Sequence, residues 1–505
     1  MAEARNMLEK HEKTAVDPVR HVRIAIVGSG FAGLGMAMRL KKDGVEDFVL
    51  FERADGLGGV WRDNSYPNCA CDVESHLYSF SFEQNPNWSR AFSPQGEILA
   101  YLQKCARDYG LEPHLRFRHD VQEARWDGDA RRWHIRTAGG NYTADIFIAA
   151  AGALSDPKMP RFAGLESFEG TSFHSARWNH DCKLQGKNVA VIGTGASAVQ
   201  FIPALQKQAA RLSVFQRTAP WVMPRHDRAF SAIERTAFRS FGLVQQMKRG
   251  GIYAFRELLA TSFLYPKLSG VMQGMAERFL KREVKDPVLR KKLTPNYSIG
   301  CKRILLSDEY LNTLTQSNVD VVTENIREIS AKGIVTADGK EHAADVIIFG
   351  TGFQVQELPM LALIYGKRGR SLRETWQHTM TAHLGTTVVD FPNFFILQGP
   401  NTGLGHTSVI TMIESQFTYV LDALHHMRDR ELAVFEPRQE AQDAFVAEVD
   451  AKMKKTVWTN GGCESWYFDR SGRISTLWPG FTFTFRKRLE RFRPEEYRLS
   501  AGGAR

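Results

Sequence analysis

At 505 residues the chain is too long for one ordinary hydrophobic core and calls for two or three domains. It is 43% apolar and 24% charged, the balance of a folded globular protein, and no apolar run approaches the roughly 20 residues that span a bilayer, so stable membrane insertion is not expected. The net charge of +10 invites an anionic partner, but much of the excess lies between Lys248 and Arg303 with no nucleic-acid motif, so it reads as a solvated helical face and not as a nucleic-acid site.

The first twenty residues alternate charges and lack an apolar core, so they read as a frayed extension and not a signal peptide. Residues 23–27 (RIAIV) form a short β-like run. Gly28-Ser29-Gly30-Phe31-Ala32-Gly33 follows, then a helical stretch to about Lys42 and a strand from Phe48 to Phe51 that ends at Glu52. Strand, glycine turn, helix, strand is half of a dinucleotide fold. Its first glycine turns the chain, its second lets backbone N–H groups approach a pyrophosphate, and a small third residue keeps helix and strand close. Glu52, 24 positions after Gly28, stands where a carboxylate accepts from ribose hydroxyls. The run from Asp145 to Gly152 is a further strand that closes on small residues.

The pattern then recurs. Residues 189–192 lead into Gly193-Thr194-Gly195-Ala196-Ser197-Ala198, a helix, and a strand from Leu212 to Phe215 that ends at Gln216-Arg217. Arg217 occupies the register of Glu52, and a guanidinium there suits a 2′-phosphate. One such turn is weak evidence; two, each between a β-run and a helix, are much stronger. The first site is therefore expected to hold FAD and the second NADPH, with hydride passing between them.

Residues 225–300 are mainly helical and interrupt the second lobe. Their apolar stock (Phe241, Leu243, Met247, Tyr253, Phe255, Phe263, Leu264, Tyr265, Met272 and Met275) is expected to pack between helices, with a substrate-pocket lining as the alternative. The strand from Asp345 to Gly352 closes the lobe, a long helix near residues 407–428 follows, and the C-terminal region is rich in Trp and Phe. The fold class is α/β: two dinucleotide-binding Rossmann-type domains, with a helical insertion in the NADP domain. The FAD domain is expected at 1–155 and 390–505, and the NADP domain at 156–389 with its insertion at 225–300. The six cysteines (Cys69, Cys71, Cys105, Cys182, Cys301 and Cys463) form no C-x-x-C pair and no metal-ligand spacing. They are expected to be free thiols in a reducing compartment, which points to the cytoplasm, and no metal is expected. Nothing in the sequence demands more than a monomer.

Two spaced motifs carry more information. F-x-G-x-x-x-H-x-x-x-W appears as Phe168, Gly170, His174 and Trp178, and G-x-W-x-x-x-x-[FY]-P-x-x-x-x-D as Gly59, Trp61, Tyr66, Pro67 and Asp72. With them the chain, from about residue 22 to 490, resembles the class B flavin monooxygenases, and within them the type I Baeyer–Villiger monooxygenases. The resemblance implies an FAD site that adds Gly59, Trp61, Asp72, Tyr78 and Val121 to the first glycine turn and Glu52. It implies an NADP site of the second turn, Arg217, Lys302 and Arg303. Asp72 is implied to lie beside the flavin and pair with Arg303, and His174 to couple cofactor binding to domain movement. The loop Gly399–His406 is implied to lie next to the flavin ring.

The reaction implied is the conversion of ketones to esters or lactones with NADPH and O₂, through a C4a-peroxyflavin kept anionic by Arg303. The partners are then a small ketone and O₂. The nearest alternative is a flavin-containing monooxygenase that oxygenates sulfur or nitrogen. A pyridine nucleotide–disulfide reductase needs the redox cysteine pair that is missing.

Overall fold

The computed structural model describes residues 19–502, so the extension read from residues 1–20 falls almost wholly outside the described residues. The elements that position the sites are β1 (Arg20–Val27), α1 (Phe31–Lys42), β2 (Phe48–Phe51), β3 (Gly140–Ala149), β4 (Asn188–Ile192), α2 (Ala198–Gln206), β5 (Arg211–Phe215), α3 (Gly242–Leu264), α4 (Ser269–Glu283), β6 (Val346–Phe349) and α5 (Val409–Asp429).

In the first sheet β1 lies between β2 and β3, parallel to both. Residues 24–26 of β1 and all of β2 are buried without alternation, as expected of parallel strands covered on both faces. The sheet has eight strands. The strands Val121–Asp127 and Arg132–Thr137 and β3 form an antiparallel run. Later chain returns to it: Ile364–Tyr365 pairs with Val121–Asp127, and Phe394–Ile396 with β3. The second sheet is wholly parallel, in the order Val319–Val322, β5, β4, β6, Thr171–His174. This is an α/β protein with two Rossmann-type sheets, and a helical insertion lies between β5 and β6.

Register places the turns. Val27 is opposite both Phe51 and Ala149, so Gly28, Glu52 and Ala150 emerge together at one carboxyl edge. Ile192 is opposite Phe215 and Phe349, which brings Gly193, Gln216 and Gly350 to the corresponding edge. In open α/β sheets ligands bind at such edges. Helix α5 crosses α1 closely: a Cβ on Gly35 would sit 2.6 Å from the rings of Phe417 and Phe80.

Two expectations need correction. Cys301 and Cys463 form a disulfide with Cα atoms 6.1 Å apart, while Cys69, Cys71, Cys105 and Cys182 remain free. The chain leaving the insertion runs against the 461–463 loop, where Ser298 N–H donates to the Gly461 carbonyl at 2.9 Å, and a sequence separation of 162 residues hides that approach. The insertion also packs differently from its apolar pattern. Phe263 and Met272 are buried, but Phe241, Leu243, Met247, Phe255, Tyr265 and Met275 are exposed. Helix α3 docks on the first lobe through polar groups. Arg249 donates to the carbonyls of His76 (2.7 Å) and Ser79 (3.0 Å), and Tyr253 and Thr482 share a hydroxyl–hydroxyl bond of 2.9 Å.

Candidate functional site

Gly28 has φ +101°, and a Cβ there would lie 2.5 Å from the Ala150 carbonyl oxygen. At Gly33 a Cβ would meet the Gly28 carbonyl oxygen at 1.8 Å, so helix and turn touch backbone to backbone. Gly59 (φ +54°) faces the same turn, its added Cβ 3.0 Å from Gly30 Cα. The turn is thus a cradle of bare backbone ending at the N-terminus of α1, which fits a pyrophosphate.

Glu52, 5% exposed, accepts from the Ser29 hydroxyl (2.6 Å), the Ser29 N–H (3.2 Å) and the Ala54 N–H (2.9 Å), and pairs with Arg62 at 3.1 Å. Burial alone would raise its carboxyl, but these donors hold it below the ordinary carboxylate value. Phe31 packs on Tyr78 with ring centroids 5.1 Å apart, and Trp61 Nε1 donates to the Tyr78 hydroxyl at 3.1 Å. Ala32 is buried in α1, and Val121 is buried in the same apolar cluster as Val27 and Ala149.

The second turn repeats the backbone and changes the chemistry. Gly193 has φ +108°, and its Cβ would lie 2.4 Å from the Gly350 carbonyl oxygen. Thr194 is buried, Ser197 is half-buried, Gly195 and Ala196 are exposed, and Ala198 begins α2. Arg217 is exposed and, like Lys302, has no salt-bridge partner among the described residues. Burial and the like charge of Arg217 push the Lys302 ammonium down against a smaller opposing pull from Glu464, so two cations converge there and neither is held in a salt bridge among the described residues.

Between these turns stands an ion pair. Arg303 donates through Nε to Asp72 Oδ2 and through Nη2 to Oδ1, both at 2.8 Å, across 231 residues of sequence. The Asp72 side chain is 27% exposed and that of Arg303 33%. Burial would raise the Asp72 carboxyl, but Arg303, with help from Arg256, holds it below the usual range; Asp72 in turn pushes the guanidinium up. Both groups are therefore ionised at neutral pH. The bidentate contact uses the Nε/Nη2 edge of the guanidinium and leaves Nη1 without an acceptor among the described residues.

The spaced fingerprint has a mechanical setting. Phe168 packs in the second lobe's apolar cluster, and Gly170 admits close passage of the Asp345 carbonyl, whose oxygen would lie 2.4 Å from an added Cβ. His174 ends the edge strand of that sheet opposite Phe349. Its Nδ1 accepts from Ala176 N–H at 3.0 Å, and its Nε2 is buried without a partner. Trp178 packs on Phe173, on Phe201 of α2 and on Tyr66 of the first lobe. Trp178 thus lies in the contact between lobes and His174 within the second lobe, and neither is hydrogen-bonded to the Asp72–Arg303 pair.

Sequence reading missed two groups and gave a third, His406, no role of its own. Arg256 of α3 donates from Nε to Glu74 at 2.9 Å and from Nη2 to the Asp72 carbonyl at 3.4 Å. Gln200 of α2 donates to the Ala70 carbonyl at 2.9 Å and accepts from Ala70 N–H and the Tyr66 hydroxyl at 3.2 Å, a second tie between lobes. His406 is buried, and neither ring nitrogen has a partner. The first two span 130 to 184 residues, and no local pattern announces them.

Comparison with known proteins gives a consistent result. Residues 21–364 match the family model FMO-like, flavin-binding monooxygenase-like. The chain is 50% identical over 481 residues to a Baeyer–Villiger monooxygenase of Streptomyces coelicolor, covering 95% of this chain and 93% of that one. It is 48% identical over 484 residues to another from Pseudomonas aeruginosa, covering 95% and 92%. A crystal structure of OTEMO in complex with FAD and NADP superposes with a TM-score of 0.86 at 28% identity, covering 96% of this chain and all of that one.

Proposed function

The chain belongs to the flavin-binding monooxygenase-like family, and on that premise we propose that Arg303, held by Asp72, is the residue that stabilises charge in its oxygenation reaction. The protein is an FAD-containing, NADPH- and O₂-dependent Baeyer–Villiger monooxygenase that converts ketones to esters or lactones. The relatives favour this reading over oxygenation of sulfur or nitrogen.

The residues present fit both cofactors. The bare-backbone cradle at Gly28, Gly30, Phe31, Ala32 and Gly33, with Glu52, Gly59, Trp61, Tyr78 and Val121, would hold FAD. The second turn, from Gly193 to Ala198, would hold the NADP pyrophosphate, and Arg217 and Lys302 its 2′-phosphate; two converging cations, neither in a salt bridge among the described residues, support that assignment. When bound, the flavin reduced by NADPH supplies activated dioxygen and delivers one of its atoms to the substrate.

The chain's own residues do the rest. Asp72 fixes the plane of the guanidinium, so the free Nη1 edge of Arg303 is pre-set and not mobile. That edge donates hydrogen bonds to negative charge developing on the ketone oxygen. A donor already fixed in place costs no reorganisation as charge appears. Arg256 holds Glu74 and the Asp72 carbonyl, so it positions the segment that carries Asp72. His174, at the end of the second sheet's edge strand, and Trp178, between the lobes, are assigned to transmitting movement and not to chemistry.

We place the division of the chain near residue 155 and put the return to the first domain before Ile364, since Ile364–Tyr365 already pairs in the first sheet. Among the described residues no helix is long and apolar enough to cross a membrane. We propose the cytoplasm, where the four free thiols stay reduced, as the location, and a small ketone as substrate.

The observation that carries the reading is the bidentate Asp72–Arg303 pair between two glycine cradles. Product analysis after incubating the holoenzyme with NADPH, ¹⁸O₂ and a panel of ketones and thioethers tests it. One ¹⁸O atom in an ester is expected; sulfoxide with no ester rejects it.

A further inference from the structure

The insertion carries two anomalies in one place. Residues 225–300 contain fifteen Lys and Arg against six Asp and Glu, a net +9 of the chain's +10. Among the described residues, twelve exposed large hydrophobic side chains lie between Ile233 and Val288, against five elsewhere. Soluble surfaces rarely concentrate apolar side chains in this way without a binding role.

The two features share a face. On α3, Leu243, Met247 and Leu258 fall within about 60° of one another at 100° per residue, and each is at least 65% exposed. Gly250, Gly251 and Ala254 lie between them, so no charge interrupts the seam. On α4, which packs beside α3, Val271 (74% exposed) and Met275 continue it. Around the seam stand exposed Lys248, Lys267, Arg278 and Lys281, none with a salt-bridge partner among the described residues. The opposite face of α3 is fastened to the first lobe by Arg249, Tyr253 and Arg256, so the seam cannot turn inward without breaking those bonds.

We infer that the outer face of α3 and α4 docks the protein peripherally on an anionic lipid bilayer. An apolar stripe flanked by Lys and Arg is the pattern of a helix lying in the plane of a membrane interface. A second copy of the chain fits less well, because pairing would bring together two insertions that each carry a net +9. Docking itself does not depend on the proposed chemistry. If that chemistry holds, the inner face of the docked helix contacts the Asp72 segment, and an apolar ketone dissolved in the bilayer is brought close to the site.

Sedimentation of the full-length holoenzyme with vesicles tests this. One set is phosphatidylcholine alone, and the other contains roughly one quarter phosphatidylglycerol, which supplies the negative surface potential. A Lys or Arg near such a surface contributes about fivefold in partitioning, so binding at least tenfold stronger to the anionic set is expected, weakening as salt rises. The triple variant Leu243→Asp, Met247→Asp, Leu258→Asp should lose binding tenfold or more while keeping its flavin and its turnover of a water-soluble ketone. Lys248→Glu with Lys281→Glu should abolish the preference for the anionic set. Equal sedimentation with both vesicle sets, or undiminished binding by the triple variant, overturns the proposal. So does a stable dimer in sedimentation velocity that the triple variant dissociates, since that assigns the face to a second copy.

Discussion

The two glycine turns are nearly the same object in backbone terms. Gly28 and Gly193 share a positive φ, and each lies where a Cβ would strike a carbonyl at the end of the neighbouring parallel strand, Ala150 in one lobe and Gly350 in the other. The residues after the second strands are opposites. Glu52 is buried in a cage of its own lobe's donors, while Arg217 stands exposed near Lys302 with no salt-bridge partner among the described residues. The turn is generic geometry for a pyrophosphate, and we assign discrimination between nucleotides to the stretch just past the next strand: Glu52 directly after β2, and Arg217 one place beyond Gln216, which the structure, unlike the count of 24 positions, puts in the register of Glu52. We read the first lobe as built to retain its nucleotide and the second to exchange one.

The sharpest way to break the comparison is to place a methyl in each turn. Gly28→Ala puts a Cβ against a backbone carbonyl that cannot move aside, at a φ that disfavours any side chain. Purified protein should come out without flavin absorbance and with a lower Tm. Gly193→Ala should retain flavin and lose NADPH oxidation instead. If both variants lose the same cofactor, the division of labour between the lobes is wrong. Arg303→Ala acts where the lobes meet: ester formation should fall on the order of 10²–10³-fold. Flavin content and the rate of flavin reduction by NADPH should stay near those of the parent. A loss confined to flavin reduction would move Arg303 from charge stabilisation to nucleotide binding. Arg217→Gln removes one charge-assisted contact, so the KM for NADPH should rise about 10- to 100-fold, with little change for NADH. Equal effects on the two nucleotides would deny Arg217 its role as selector.

What the sequence made legible follows the range of the forces involved. Strand, turn and helix were readable because each is set by near neighbours: the apolar runs of β1 and β4, the obligatory glycines, and the small residues closing β3 and β6. Asp72 was readable through its spaced motif and Arg303 only through the family resemblance, since nothing local links residues 231 positions apart. The Arg256–Glu74 contact and the Cys301–Cys463 bond had no local signal at all. The orientation of α3 was misread for a physical reason. Apolar spacing identifies a stripe but not the face that is buried, and here the buried face is the polar one, with Arg249 satisfying carbonyls of the first lobe.

The smallest expected effect concerns whether the lobes unfold together. His76 belongs to the first lobe's chain segment and His174 to the second sheet; burial lowers each imidazole from 6.5 to about 4, as it does at His406. These groups are neutral in the folded protein and take up protons on unfolding between those two values. Their stabilising contribution is therefore complete above pH 6.5, falls as pH drops toward 4, and changes no further below. Each contributes a slope of about 1.4 kcal/mol per pH unit within that window. Denaturant unfolding of parent, His76→Asn and His174→Asn at several pH values between 7 and 4.5 isolates each share, because the carboxylates titrate alike in all three proteins. If the lobes are one cooperative unit, either substitution flattens the same single transition by the same amount. The inter-lobe ties through Trp178 and Gln200 favour that outcome. Two transitions, each flattened by only one of the substitutions, would mean that those contacts fail to couple the lobes, and a slope unchanged in both variants would mean that the histidines are not held neutral.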